Sequence, residues 1–482
     1  MYKFGNILIG KNESNEATLL LSKANRHGLI TGASGSGKTI TLKVLAEGFS
    51  EAGVPVFLSD VKGDLAGTIK EGIINDNIKS RINTLNIEDF KTQKFPVAFL
   101  DVYGKNGCNI RTTIKDIGSK LLSKMLNLTD TQGCVLAIAF KIAKDEELDL
   151  IDLNDLKAML TYIGEKRKEY SLTYGNVTLQ SIGSIQRNIL SLQEEGGDFF
   201  FGLPAFNIKD LIHFDVNTGF GNINIFDAQT LFQKPTLYAT IMLWILTTIY
   251  NEFPEIGDTE KPKLVLFFDE SHLIFNEMPE YLTKQIIQIV KLIRSKGVGI
   301  YFISQSPSDI PTEILSQLGN RIQHVLRSYT PTDEKAIKAA SDSFRKNPNF
   351  NTAEVISTLK TGEALISLQN EDGEPTIVDK YIIVPPQSMI GTITDIERDN
   401  YIKSTWLYGK YEEKLNYTST KDILNEKLKK EKEEPLKKSV SKKTTTKAKK
   451  STMEKATERV ITNTASSFGR KLGNSLFKNL FK

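Results

Sequence analysis

Eight consecutive residues constrain this chain more than any other feature. Gly32, Ala33, Ser34, Gly35, Ser36, Gly37, Lys38 and Thr39 match G-x-x-x-x-G-K-[ST] in full. Glycines at these spacings let a loop close around phosphate with its amide hydrogens pointing inward. An apolar run, GLIT, comes before the loop, and a helical pattern, TLKVLAEGFSEAG, comes after it, so the N-terminal end of a helix adds its positive field. In that setting Lys38 is expected on the β- and γ-phosphates of ATP, and the Thr39 hydroxyl on Mg²⁺. A strand–loop–helix of this kind requires a parallel α/β sheet.

The rest of the chain supplies the strands. VPVFLSD (54–60), INIFDA (223–228), LVLFFDE (264–270), VGIYFISQ (298–305) and EALISLQ (363–369) are apolar runs bounded by turn residues. Between them, residues 101–232 are mostly helical by pattern and read as an insertion. Lys335–Phe344 reads as a further helix. The expected division is an N-terminal part of the ATPase core at 1–100, the helical insertion at 101–232, and the rest of the core at 233–420. A disordered Lys-rich linker at 421–450 and an amphipathic helix at 451–482 follow. The linker holds almost no apolar residues to offset ordering entropy. In the last segment Ile461, Ala465, Phe468, Leu472, Leu476 and Leu480 form one stripe at helical spacing.

Charge separates tail from body. Residues 421–482 carry 18 Lys and Arg against 7 Asp and Glu, a net of +11, and the first 420 residues carry a net of −7. A uniformly basic nucleic-acid-binding body is thereby excluded, whereas a local basic channel is not. The Lys-rich linker could bind nucleic acid or an acidic surface. The two cysteines, Cys108 and Cys134, form no disulfide framework and share no zinc spacing with the four histidines. MYKFGNILIG lacks the pattern of a secretory leader, and LYATIMLWILTTIY (237–250) is too short to cross a bilayer, so a cytoplasmic protein with no transmembrane segment is expected.

Hydrolysis needs a metal-organising acid and a base for water. LVLFFDE ends in Asp269-Glu270, which makes Asp269 the second ligand-holder for Mg²⁺ and Glu270 the base. Gln305 ends the next strand, where an amide can orient water or sense the γ-phosphate. Asp60 closes VPVFLSD and opens the charged turn Asp60-Val61-Lys62-Gly63-Asp64, at the strand end where ligands bind in such sheets. His272 follows the acids in DESH and reads as a structural histidine.

Taken together, GLITGASGSGKT, FLSDVKGDLAG, LQSIGSIQRNILSLQEEGGDFFFG, LVLFFDESHLIF, GIYFISQSPSDIP and VLRSYTPTDEKAIKAA resemble the helicase HerA-like, YjgR-type ATPases of the HerA/FtsK superfamily. The resemblance implies an additional-strand, catalytic-glutamate, RecA-like sheet and a hexameric ring with ATP between subunits. It also implies arginines that reach a neighbour's nucleotide; Arg187, Arg321 and Arg327 are the candidates. DNA is the implied partner, moved or unwound by ATP hydrolysis. Two other readings stand beside it: a ring ATPase that remodels protein, with the C-terminal helix as a candidate docking element for a protein partner, and a nucleotide-dependent interaction module.

Overall fold

The computed structural model describes residues 1–441, apart from 258, 276–279, 414 and 416. Its centre is a 13-stranded mixed sheet. In chain order the strands are β1 (Tyr2–Lys3), β2 (Asn6–Lys11), β3 (Glu16–Leu20), β4 (Gly28–Thr31), β5 (Val56–Asp60), β6 (Val97–Asp101) and β7 (Cys108–Asn109). They continue with β8 (Ile223–Asp227), β9 (Leu264–Phe268), β10 (Val298–Ser304), β11 (Asn320–Gln323), β12 (Glu363–Ser367) and β13 (Asp379–Ile383). In space the order is β1-β2-β13-β12-β11-β4-β10-β9-β5-β8-β6-β7, with β3 also on β2.

The sheet has two halves. From β11 through β4, β10, β9, β5, β8 and β6 to β7, every pairing is parallel. Helices cover such a sheet on both faces, so its strands are apolar throughout: β5, β8, β9 and β10 are buried at every position. From β11 outward, through β12, β13, β2 and β1, the pairing is antiparallel. The N-terminal hairpin is therefore the outer part of a wing on the main sheet.

Strand β10 lies between β4, which leads into the glycine loop, and β9, which Asp269 follows directly. That inserted strand is the additional-strand arrangement that the family resemblance implies. The helix after the loop, α1 (Lys38–Glu51), is buried along most of its length, including the charged Lys43 and Glu47. Gly48 lies where α1 crosses the wing: a Cβ there would sit 2.4 Å from the Ile7 side chain.

The helical insertion is narrower than 101–232. Its helices run from Ile114 to Phe200, and β7 and β8, inside the expected range, are strands of the main sheet. Each long helix starts where a short polar side chain satisfies its first amides. Thr113 accepts from Asp116 N, Thr129 forms a capping box with Gln132, Asp152 accepts from Asn154 N and Asp155 N, and Thr178 accepts from Ser181 N. The run at 237–250 lies in a helix, Pro235–Glu252, that is buried from Leu237 to Leu246.

The Lys-rich stretch corrects an expectation. Residues 420–441 form a helix, Thr420–Ser441, instead of a disordered linker. Lys, Glu and Leu are strong helix formers, and oppositely charged residues four apart, such as Glu426 and Lys430, support one another. Composition without an apolar face argues against packing but does not argue against a helix. Residues 442–450 and the expected amphipathic helix at 451–482 lie outside the described residues. Among the described residues, no helix is long and apolar enough to cross a membrane.

Candidate nucleotide site

Parallel strands bring their C-terminal ends to one edge, and the chemistry gathers there. The pairing register is specific: Ser304 of β10 lies opposite Thr31 of β4, Phe302 opposite Phe268 of β9, and Ser59 of β5 opposite Phe268. Just beyond these rungs come Gly32 beside Gln305 and Asp269 beside Asp60, with Gln305 two residues past the level of Asp269.

The glycine loop is held open for an anion. Gly35 and Gly37 take φ of 72° and 112°, which side chains with a Cβ rarely adopt. A Cβ on Gly32 would lie 2.5 Å from the Cβ of His324. Lys38 is buried, and its Nζ donates to Gly32 O at 2.6 Å and Ala33 O at 3.1 Å. Burial lowers its pKa, while the nearby Glu270 and Asp269 pull it back up. Ser36 Oγ is buried without a hydrogen-bond partner, as suits a loop whose polar atoms converge on a phosphate. Thr39 is half-buried.

Asp269 is 4% exposed, and its amide donates to Ser59 Oγ at 3.2 Å. Burial pushes its carboxyl up to about 7, against the pull of Lys62. A carboxylate this short of positive charge suits a divalent cation, so the donor set fits Mg²⁺. Glu270 follows in a left-handed conformation, φ 47°, which turns its side chain off the line of β9. Its Oε1 lies 2.8 Å from Lys62 Nζ, and its Oε2 lies 3.3 Å from His272 Nδ1. Burial alone would raise its pKa, but the hydrogen bond and charge of Lys62, with Lys38 and His272, bring it below the ordinary value. Glu270 is therefore ionised at neutral pH.

Asp60 has a different job from the one its position suggested. Its Oδ1 accepts from Lys62 N at 3.2 Å and Gly63 N at 2.6 Å, and its Oδ2 from Leu65 N at 3.1 Å. With both oxygens committed to the turn, Asp60 shapes the loop that carries Lys62 and is not placed to contact phosphate. Its pKa rises to about 6, chiefly from burial. Lys62 itself was quoted in the sequence without a role. The signal was there, since it is the one cation between two acids in that turn.

The three arginines separate. The Arg321 guanidinium donates to the carbonyls of Leu318 (3.1 Å), Ser343 (2.9 Å) and Leu315 (2.8 Å), and burial lowers its pKa. Held by three carbonyls, this side chain is a structural clamp, which counts against its candidacy as a finger. Arg327 is exposed beside the loop, in a cleft of about 630 Å³ that Ser34, Gly35, Gln305, Tyr329 and Asp333 also line. Arg187 is exposed on the insertion helix Leu179–Glu194 and hydrogen-bonds Ser184 on the same helix at 2.9 Å.

His324, after β11, is a support that sequence reading missed. Its Nδ1 lies 2.9 Å from Glu363 O and so carries the proton; Nε2, 2.9 Å from Thr41 Oγ1, then accepts. Burial drops its pKa to about 4, so the ring is neutral. Strand β11 reads NRIQ, four residues of which three are polar, which left no local pattern to find.

Strand order, loop and paired acids define an additional-strand P-loop ATPase. The chain belongs to the helicase HerA-like C-terminal family, whose model matches residues 6–481. Among curated proteins it is similar to the DNA double-strand break repair helicase HerA of Sulfolobus acidocaldarius, 24% identical over 397 residues, covering 79% of this chain and 70% of that protein. Its counterpart from Sulfurisphaera tokodaii is 25% identical over 383 residues, covering 76% and 67%. Among solved structures, the plasmid coupling protein TrwB in complex with the GTP analogue GDPNP superposes with a TM-score of 0.52 at 15% identity, covering 80% of this chain and 90% of that one. That likeness concerns the fold.

Proposed function

We propose that this chain is the ATPase subunit of a ring motor of the HerA/FtsK type that works on DNA as a translocase or helicase. The observation that carries the reading is the convergence of Lys38, Asp269 and Glu270 at adjacent strand ends, with Glu270 ionised. Support for DNA comes from the relatives, named as DNA double-strand break repair helicases. A DNA substrate places the working compartment in the cytoplasm.

In this reading the amides of Gly32 to Thr39 cradle the phosphates, and Lys38 exchanges its loop carbonyls for the β- and γ-oxygens. Thr39 and Asp269 would hold Mg²⁺, which supplies charge neutralisation at those oxygens. Water attacks the γ-phosphorus, the β–γ bridging oxygen leaves, and Glu270 takes the water proton. Lys62 occupies Oε1 of Glu270, and Oε2, which makes no hydrogen bond, is the oxygen that would take that proton. Gln305, which lines the cleft beside the loop, would orient the water, and Arg327, exposed in the same cleft, is a candidate for reaching the nucleotide of a neighbouring subunit. Arg187, on the exposed face of the insertion, is the other candidate for reaching a neighbouring subunit of the hexameric ring.

The test is steady-state ATPase activity with and without single- and double-stranded DNA, with Lys38→Ala and Glu270→Gln as controls. Stimulation by DNA that disappears in both variants is expected. Turnover that ignores DNA would move the substrate assignment to protein. No turnover would leave a nucleotide-dependent interaction module.

A further inference from the structure

Resting on the P-loop reading, we infer that a second cavity on the opposite flank of the glycine loop is the slot for the purine base of the same nucleotide, and that Arg81 is its anchoring side chain. The cavity measures about 540 Å³. Gly37, Ile40, Arg81, Ile382, Pro386 and Ile390 are among the residues that line it.

Polarity along the phosphate chain selects this flank. Gln305, the candidate for orienting water, lies with Ala33 to Ser36 on one side of the loop. The γ-phosphoryl group belongs to that side. The chain of phosphates then runs over Lys38 and Thr39, so the ribose and base leave past the next residue, Ile40. Ile40 lines the second cavity, and Thr361 lines both, so the two cavities share a wall at the loop.

Isoleucine and proline side chains in the lining supply apolar surface for a flat heteroaromatic ring, and the asparagine, serine and threonine side chains among them supply partners for its polar edge. Arg81 adds specificity. Its Nη1 donates to Ile383 O at 3.1 Å and Gly362 O at 3.3 Å, which fixes the plane of the guanidinium. A guanidinium fixed in this way stacks on an aromatic face without further ordering. The Gly362 position enforces the contact: a Cβ there would lie 2.4 Å from Arg81 Nη1. Most of the slot's apolar wall comes from β13 and the segment after it, 385–390, so the antiparallel wing, whose part in the site the sequence did not disclose, recognises the base.

The experiment compares Kd for ATP with Kd for inorganic tripolyphosphate, both with Mg²⁺, in the full chain. Variants are Arg81→Ala and the slot-filling Ile390→Trp at the exposed rim, with circular dichroism confirming the fold of each. Wild type is expected to bind ATP more tightly than tripolyphosphate. Each variant is expected to weaken ATP roughly tenfold, with tripolyphosphate moved less than about twofold. Should both ligands weaken together, or neither, the slot assignment is overturned while the P-loop reading stands. Failure of wild type to bind either ligand would sink the P-loop reading itself.

Discussion

The parallel and antiparallel halves of this sheet do different work. In the parallel half, β4, β5, β9 and β10 are buried runs that each end in a residue of the site: Gly32, Asp60, Asp269 and Gln305. The antiparallel wing has half-exposed strands, such as β13, and carries none of the expected hydrolytic residues. It grips the site from outside. Gly362 N donates to Ser36 O at 3.1 Å, Glu363 O holds His324, and the amides of Gln387 and Ser388 donate to buried Glu47 on α1 at 2.6 and 3.1 Å. One half places reactive groups, and the other fixes the loop and helix on which they depend.

The sharpest test of this division is Glu270→Gln, which keeps shape and removes the base. Turnover should fall by about 10²–10⁴ with ATP binding retained. Retained turnover would break the assignment of chemistry to the parallel half. On the wing side, Glu47→Ala strands Lys43, whose Nζ lies 4.0 Å from Glu47, and three donors from Gln387 and Ser388. A loss of about 3–5 kcal/mol in urea unfolding is expected. A loss under about 1 kcal/mol would mean that the wing does not brace α1.

Acid should loosen the structure through two buried histidines. His27 accepts from Ile300 N at 3.0 Å through Nδ1 and donates to Val290 O at 2.9 Å through Nε2. Its pKa, like that of His324, is lowered to about 4 by burial. In both cases the folded value lies below the unfolded 6.5. The stability is therefore present above pH 6.5 and is lost as pH falls from 6.5 to 4, up to about 3 kcal/mol for each. The buried carboxyls Asp269 and Asp60, raised to about 7 and about 6, gain stability over the same range, so the histidine contribution is read by comparing urea unfolding at pH 7 and pH 4.5 in wild type with His27→Gln and His324→Gln; a pH dependence unchanged by both substitutions would mean that neither ring is held neutral. The smallest effect is that of Arg321→Ala, which removes donors from three carbonyls. A stability loss of about 1–3 kcal/mol with turnover per folded molecule preserved is expected. Collapse of turnover at unchanged stability would restore Arg321 as a finger.

Legibility followed the same boundary. Buried parallel strands read as unbroken apolar runs, and LVLFFDE and VGIYFISQ were readable to within a residue or two. VAFLD was passed over between helical patterns, and NRIQ and DKYII gave only short or alternating signals. The linker was misjudged because a composition without an apolar face is compatible with a charged helix. Asp60 was assigned by position, and only its three amide donors show what its oxygens do.

What the sequence by itself determined is the phosphate loop and the identity of the acids, because both are local. Eight adjacent residues build the cradle, and a carboxylate at the end of a buried strand must emerge at the sheet edge. Tertiary structure alone decided that Lys62 meets Glu270, that Arg321 is consumed by carbonyls, that His324 supports Gly32, and that Arg81 faces Gly37 across a slot. These pairs lie on different strands and loops, and their distances depend on strand order and register, which no local pattern of side chains encodes.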